Sequence, residues 1–339
     1  MSAQALYIKK EHSSGISQTG GSFPPRRKIM KRFKNILIAT NGSKRDRRSL
    51  RRAIDLAKRN NAKLSLIEVI DLPERDISRI SAKLKGQDLS GLFVEDRKTG
   101  INALLKEYDF SLSRLDVVFG VPFIKIIQHV HRYSFDLVIR AAEGKGRLKQ
   151  KLFGTTTLHL MRKCPCPLWV LKPSGKIPYR KILAAVDPIE MDSIKENLNR
   201  KVMELAVSMA EIEKADLHIA HVWDVFGESL LLRRGGMTQR DVKAMVAEEK
   251  EEHHGALEEL IMQHPVSGIR MKSHLLRGNP GEVIPEFASK RDIDLVVMGT
   301  VSRHGIAGLL IGNTAEQVIQ RVDASVLTVK PLGFVTPVL

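Results

Sequence analysis

The chain repeats itself, and that repetition restricts its fold more than any other property. Phe33-Lys34-Asn35-Ile36-Leu37-Ile38-Ala39-Thr40-Asn41 matches Tyr179-Arg180-Lys181-Ile182-Leu183-Ala184-Ala185-Val186-Asp187 at an offset of 146 residues. Further on, Gly120-Val121-Pro122 matches Gly278-Asn279-Pro280, and Phe135-Asp136-Leu137-Val138-Ile139 matches Ile293-Asp294-Leu295-Val296-Val297. Leu168-Trp169-Val170-Leu171-Lys172-Pro173 matches Val326-Leu327-Thr328-Val329-Lys330-Pro331, and these three matches share an offset of 158. The second copy has therefore gained residues in its middle and kept its register afterwards. Two copies divide the 339 residues into domains of ordinary size. We read residues 1–32 as a disordered basic tail, 33–173 as domain 1, 174–178 as a Pro-bounded linker, 179–331 as domain 2, and 332–339 as a C-terminal tail.

Each copy alternates short apolar runs with helical patterns. The runs are rich in Val, Ile and Leu and do not alternate with polar residues, as expected of strands covered on both faces. In copy one they fall at 35–40, 64–69, 116–119, 137–140 and 168–171; in copy two at 181–186, 217–222, 271–276, 295–298 and 326–329. Between them, Leu198, Val202, Leu205, Ala206 and Met209 mark one face of a helix over 195–212. Further helices are expected over 242–263, 281–290 and 315–322, and from near Arg47, Phe123 and Thr156; residues 73–100 read as a helix plus loop. This order predicts an α/β fold of two tandem, doubly wound, parallel five-stranded sheets flanked by helices.

Charge is unevenly placed. The net charge is +17, with +6 in residues 1–32, +14 in 33–175 and −3 in 176–339. A basic half fits either a solvated face or a nucleic-acid partner held by Lys44-Arg45, Arg47-Arg48 and Arg51-Arg52. With aromatics at 5%, no stacking platform accompanies those residues, which argues against nucleic acid. No apolar run is long enough for a membrane span, and no apolar leader is evident near the N-terminus. The two cysteines form Cys164-Pro165-Cys166-Pro167: a mutual disulfide is strained at that spacing, metal spacing is absent, and a reducing cytoplasm fits. His218 and His221 point to opposite faces of a strand, while His253-His254 reads as solvated on a charged helix, so no metal is expected.

An open parallel sheet binds ligands beyond the carboxyl ends of its strands, where strand order reverses. Three segments per copy converge there. The end of strand 1 is Ala39-Thr40-Asn41 in copy one and Ala185-Val186-Asp187 in copy two; its amide or acid can bond a ribose or simply stop the strand as an Asx turn. The turns Gly120-Val121-Pro122 and Gly278-Asn279-Pro280 read as structural. The loop after strand 4 runs from Ala141 through Gly144 to Gly154-Thr155-Thr156, and from Gly299 through Ser302, Arg303 and His304 to Gly312-Asn313-Thr314. A glycine ahead of a helix start presents free N–H groups that suit a phosphate.

Taken together, the strand-1 start, the Gly-x-Pro turn, the Asp294-Leu295-Val296-Val297-Met298-Gly299 strand, the glycine loop and the closing Val326–Pro331 strand resemble a universal stress protein domain, once in each half. Two copies in one chain, with Gly312-Asn313-Thr314-Ala315-Glu316-Gln317-Val318 in the second, resemble the tandem E-type branch of that family. The resemblance implies an adenine-nucleotide alpha-hydrolase-like fold, an ATP, ADP or AMP ligand, and an adenine contact at Val69 and Val222; the sequence requires no metal. It also implies pairing of the last strands, within the chain or in a homodimer. The ATP-binding pattern Gly-x2-Gly-x9-Gly-(Ser/Thr) is met by Gly144, Gly154 and Thr155 in copy one, with Ala141 at its first glycine and Asn41 in place of the strand-1 acid. Copy two supplies Gly299 and Gly312 with Ser302 and Asn313 at the remaining positions, and keeps Asp187.

No Ser-Gly-Gly-x-Asp-Ser loop, His-x-Gly-His pair or Walker A motif accompanies these clefts. The reading is a cytoplasmic stress-response protein that binds a nucleotide and acts through signalling or partner binding rather than catalysis, slow ATP hydrolysis being left open. The alternative is an interaction protein whose clefts hold an apolar or acylated ligand, or are empty; the departures from the ATP pattern and the apolar stretch 306–311 motivate it.

Overall fold

The structure is a computed structural model that describes residues 32–42, 46–73, 75–77, 79, 88–142, 153–172, 175–189, 193–225, 227–228, 237–266, 268–300 and 312–338. Copy one runs β1 (Asn35–Thr40), α1 (Asp46–Asn60), β2 (Lys63–Ile70), α2 (Leu89–Lys106), β3 (Arg114–Phe119), α3 (Pro122–Tyr133), β4 (Leu137–Ala141), α4 (Thr155–Lys163) and β5 (Leu168–Leu171). Copy two runs β6 (Lys181–Val186), α5 (Ser193–Glu213), β7 (Asp216–Trp223), α6 (Gln239–Met262), β8 (Met271–Arg277), α7 (Pro280–Lys290), β9 (Leu295–Gly299), α8 (Asn313–Arg321) and β10 (Ser325–Val329).

Within each copy the strands pair in parallel, in the orders β3-β2-β1-β4-β5 and β8-β7-β6-β9-β10. The two expected sheets are halves of one: β5 pairs antiparallel with β10, Trp169 opposite Leu327, giving a continuous ten-stranded sheet. The β5 and β10 edges thereby cover each other, and β3 and β8 remain as the edges of the joint sheet.

Because strand side chains alternate, each face of the sheet carries its own core, and both cores run through the seam. One contains Ile36, Ile38, Trp169, Ile182 and Leu327, covered by α1, α2, α5 and α6; the other contains Leu37, Val138, Val170, Val296 and Val326, covered by α3, α4, α7 and α8. The repeat extends to single hydrogen bonds. The Asp136 carboxylate accepts from the N–H groups of Lys34 and Asn35, and Asp294 from those of Arg180 and Lys181. Asn60 Oδ1 accepts from Phe33 N–H, while at the matching place in copy two Glu213 Oε2 accepts from Tyr179 N–H.

That last exchange of amide for acid serves the seam. Arg52 Nη1 lies 3.0 Å from Glu213 Oε1, both side chains almost fully buried, and the Arg52 guanidinium sits over the rings of Trp169 and Tyr179. Arg162 of α4 also pairs with Glu316 of α8, and Lys172 with Asp323. The basic run therefore divides. Arg52 is an internal cation, Arg48 donates to Gly175 O, and Arg47 pairs with Glu107; Lys44 and Arg45 lie outside the described residues.

Candidate functional site

The switch points of this sheet lie between β1 and β4 and between β6 and β9. In copy two, Ala185 and Val186 end β6 and Asp187 follows. The Asp187 N–H donates to Asn199 Oδ1 at 3.1 Å, and Asn199 Nδ2 donates back to Asp187 O at 2.7 Å. These two reciprocal bonds to α5 fix the backbone, leaving the Asp187 side chain 39% exposed at the strand end. Val222 is buried in β7.

Beneath Asp187 lies a histidine pair. His221 is fully buried, with Nδ1 3.2 Å from Val186 O and Nε2 2.6 Å from His253 Nδ1. His253 Nε2 is 3.4 Å from Glu249 Oε1, and Asp187 Oδ1 is 3.9 Å from His221 Nδ1. An Nδ1–H on His221 donating to Val186 O leaves its Nε2 to accept from His253. The expectation of a solvated His253 is overturned. Val242, His253, Leu257 and Leu260 form the buried stripe of α6, so this ring faces β7. His218, on the opposite face, bonds His274 at 2.9 Å, and burial drives the His274 pKa down to about 4. Among the described residues no three metal-binding side chains converge.

Gly299 ends β9. A Cβ there would lie 2.7 Å from Leu198 Cδ2, so this glycine lets α5 close onto the sheet. Packing thus accounts for one element of the glycine pattern. The chain leaves with Thr300 N–H bonded to Val329 O, and Gly312 returns with its N–H on Thr300 O. Ser302, Arg303 and His304 lie outside the described residues. Gly312 is the N-cap of α8 and has no side-chain cap; Asn313 and Thr314 are exposed in the first turn. The first-turn N–H groups and the positive end of the helix dipole are thus left without a side-chain acceptor at the N-cap.

Copy one is built differently at the same place. Ala39 and Thr40 end β1, and Asn41, exposed, donates its N–H to Asp46 Oδ2 at 3.1 Å. Amide and acid have changed places relative to Asp187 and Asn199: the acid has moved to the helix start, where Asp46 is 8% exposed. Arg140 of β4 is buried beside it, its pKa lowered to about 10 by burial against the pull of Asp46. Glu68 of β2 is also buried, with Arg97 Nε 3.4 Å away. Burial raises the Glu68 pKa, Arg97 opposes that, and Asp46 adds to it. Gly42, at φ +72°, closes over this pair: its Cβ would lie 2.7 Å from Arg97 Nη1. A cavity of about 490 Å³ opens beside these charges, with Leu50, Leu66, Ile101 and Leu104 on its apolar side. Val69 and Ala141 are buried; Gly154 is the N-cap of α4 without a side-chain cap, Thr155 is exposed and Thr156 half-buried. Gly144 lies outside the described residues.

The Universal stress protein family model matches residues 32–172 and again 178–330. The chain belongs to the universal stress protein family. It is a tandem member of the E type. Universal stress protein E of Escherichia coli K12 is 28% identical over 314 residues, covering 91% of this chain and 98% of that protein. The homolog from Haemophilus influenzae is 25% identical, covering 88% and 98%. Among solved structures, a functionally unknown protein of Pseudomonas aeruginosa PAO1 superposes with a TM-score of 0.66 at 24% identity, covering 89% of this chain and 94% of that one. A universal stress protein of Archaeoglobus fulgidus gives 0.55 at 19% identity, covering 87% and 98%. These two likenesses concern the fold. No helix among the described residues is long and apolar enough to cross a membrane.

Proposed function

We propose that this universal stress protein binds one adenine nucleotide per chain, in copy two, and acts in the cytoplasm by nucleotide-dependent partner binding rather than catalysis. The observation that carries the reading is Asp187: a carboxylate held partly exposed at the switch point by the Asn199 clamp, at the end of β6 beside β9, the strand that precedes the α8 N-terminus without a side-chain cap. The acid suits ribose hydroxyls, and the N–H groups of Asn313 and Thr314 suit phosphate. The adenine then lies towards Val222. In copy one the corresponding acid is turned onto Asn41 N–H, and Arg140 and the Glu68–Arg97 pair hold the strand ends.

Calorimetric titration of the full chain with ATP, ADP and AMP tests the reading. One site per chain with submillimolar affinity is expected. Two equivalent sites, or none, would refute it.

The apolar side of the copy-one cavity supports a second reading for that half, an apolar or acylated ligand under α2. Native mass spectrometry of freshly purified protein would show such a ligand as a discrete added mass.

A further inference from the structure

The two cysteines stand apart from both clefts, at the C-terminal end of α4. Cys164 is the C-cap residue, with φ −69° and ψ 128°, and its N–H donates to Leu160 O at 2.8 Å. It is 1% exposed, whereas Cys166 is half-buried, and the two Sγ atoms are 3.7 Å apart. Each cysteine precedes a proline, which confines its backbone to extended conformations, so a stiff tetrapeptide keeps the sulfurs together.

The repeat supplies an internal control. Val322-Asp323-Ala324-Ser325 occupies the same turn in copy two. Val322 is the C-cap there, at φ −70° and ψ 133°, and its N–H donates to Val318 O at 2.8 Å. Val322 and Ala324 fill the sulfur positions and are buried. Packing at this turn therefore needs no thiol.

A cation attends the pair in copy one. Lys330, just beyond β10, is buried; its Nζ donates to Arg162 O at 3.0 Å and lies 4.7 Å from the Phe334 ring centroid. Burial lowers the Lys330 pKa to about 8, and Cys164 pulls it back up. The Cys164 thiol is shifted down by the hydrogen bond from the Cys166 thiol, against burial, with help from the Cys166 N–H and from Lys330.

We propose that Cys164 and Cys166 are a reversible dithiol–disulfide site oxidised by hydroperoxides, with Lys330 as its electrostatic partner. The Cys164 thiolate attacks one peroxide oxygen; an S–O bond forms, the O–O bond breaks, and the departing oxygen takes a proton. The Cys166 sulfur then attacks the sulfenic sulfur; the S–S bond forms, and the S–OH oxygen leaves as water with the Cys166 proton. Two electrons pass from the sulfurs to the peroxide. A one-residue spacing strains the resulting disulfide, which makes it easily reduced, a switch rather than a staple. Oxidation also removes from beside Lys330 a thiol that can carry negative charge. This site does not depend on the nucleotide reading.

The test treats the full chain with stoichiometric hydrogen peroxide, alkylates it, and measures intact and peptide masses. The expected product has lost two hydrogens, has both cysteines protected within one peptide, and recovers both thiols with dithiothreitol. Cys166→Ala should stop at a sulfenic acid that dimedone traps on Cys164, and Lys330→Met should slow the reaction several-fold. Cys164→Val with Cys166→Ala, copied from the second copy, should keep the native circular dichroism and not react. The proposal is overturned if the folded wild type keeps two alkylatable thiols, if disulfides form only between chains, or if folded Lys330→Met oxidises as fast as the wild type.

Discussion

Replacing Glu213 by asparagine gives the seam copy one's own solution, because Asn60 stands at the matching position and accepts the equivalent N–H. The shorter amide would still face Tyr179 N–H, but the charge opposite Arg52 would be gone. The Arg52 and Glu213 side chains are 5% and 3% exposed, so the orphaned guanidinium stays in the core. Removing one partner of such a pair costs roughly 3–5 kcal/mol. The Trp169 and Tyr179 rings, with centroids 5.1 and 4.6 Å from Arg52 Cζ, offset part of that loss. A net cost of about 3 kcal/mol follows. Copy two has Leu205 where copy one has Arg52, so Arg52→Leu with Glu213→Asn rebuilds the site without charge. That double variant should return to within about 1.5 kcal/mol of the wild type, a coupling of at least about 2 kcal/mol. Urea unfolding followed by tryptophan fluorescence and circular dichroism reads all four corners of the cycle; Trp169 reports on the seam directly. A single substitution costing under about 1 kcal/mol, or a double variant no better than the worse single, would refute the idea that this pair holds the halves together.

Gly299→Ala should destabilise by about 1–3 kcal/mol through its clash with Leu198, and Leu198→Ala should recover part of that in the double variant, read by thermal unfolding. Glu68 should make copy one more stable in acid. Its folded pKa lies above 4.5, so the native state keeps a proton that the unfolded chain releases; the benefit is present below that value and is lost as pH rises through the folded pKa. Glu68→Gln should flatten that part of the stability–pH curve. Lys330 runs the other way: its pKa is about 8 folded against 10.5 ordinarily, so stability rises as pH climbs through that window, and Lys330→Met should abolish the rise.

The strands were legible because both faces of the sheet are covered: β1, β5 and β6 coincide with the segments 35–40, 168–171 and 181–186 read from the sequence. The pairing of last strands was foreseeable only through the family resemblance, and two copies in one chain let that pair form internally. The charge logic was less legible. Arg52 sits in a run of arginines that reads as one solvated face, and its partner Glu213 is 161 residues away. The exchange of Asp46 and Asn199 was hidden because α5, with 21 residues against 15 in α1, starts further ahead of the matching position, so Asp46 follows Asn41 by 5 residues while Asn199 follows Asp187 by 12. His253 looked solvated among the glutamates of α6; only its i+4 and i+7 relation to Leu257 and Leu260 marked it as inward. Gly299 fits a phosphate-loop pattern and a helix-packing contact equally well, and a sequence does not separate the two.

The most direct measurement is the ATP dissociation constant of three proteins: wild type, Asp187→Ala, and Asp46→Ala. If copy two holds the nucleotide through the exposed strand-end acid, Asp187→Ala weakens binding by at least about tenfold, the loss of a charge-assisted hydrogen bond, while Asp46→Ala leaves it unchanged. Equal affinity for wild type and Asp187→Ala, or a loss confined to Asp46→Ala, would contradict the account.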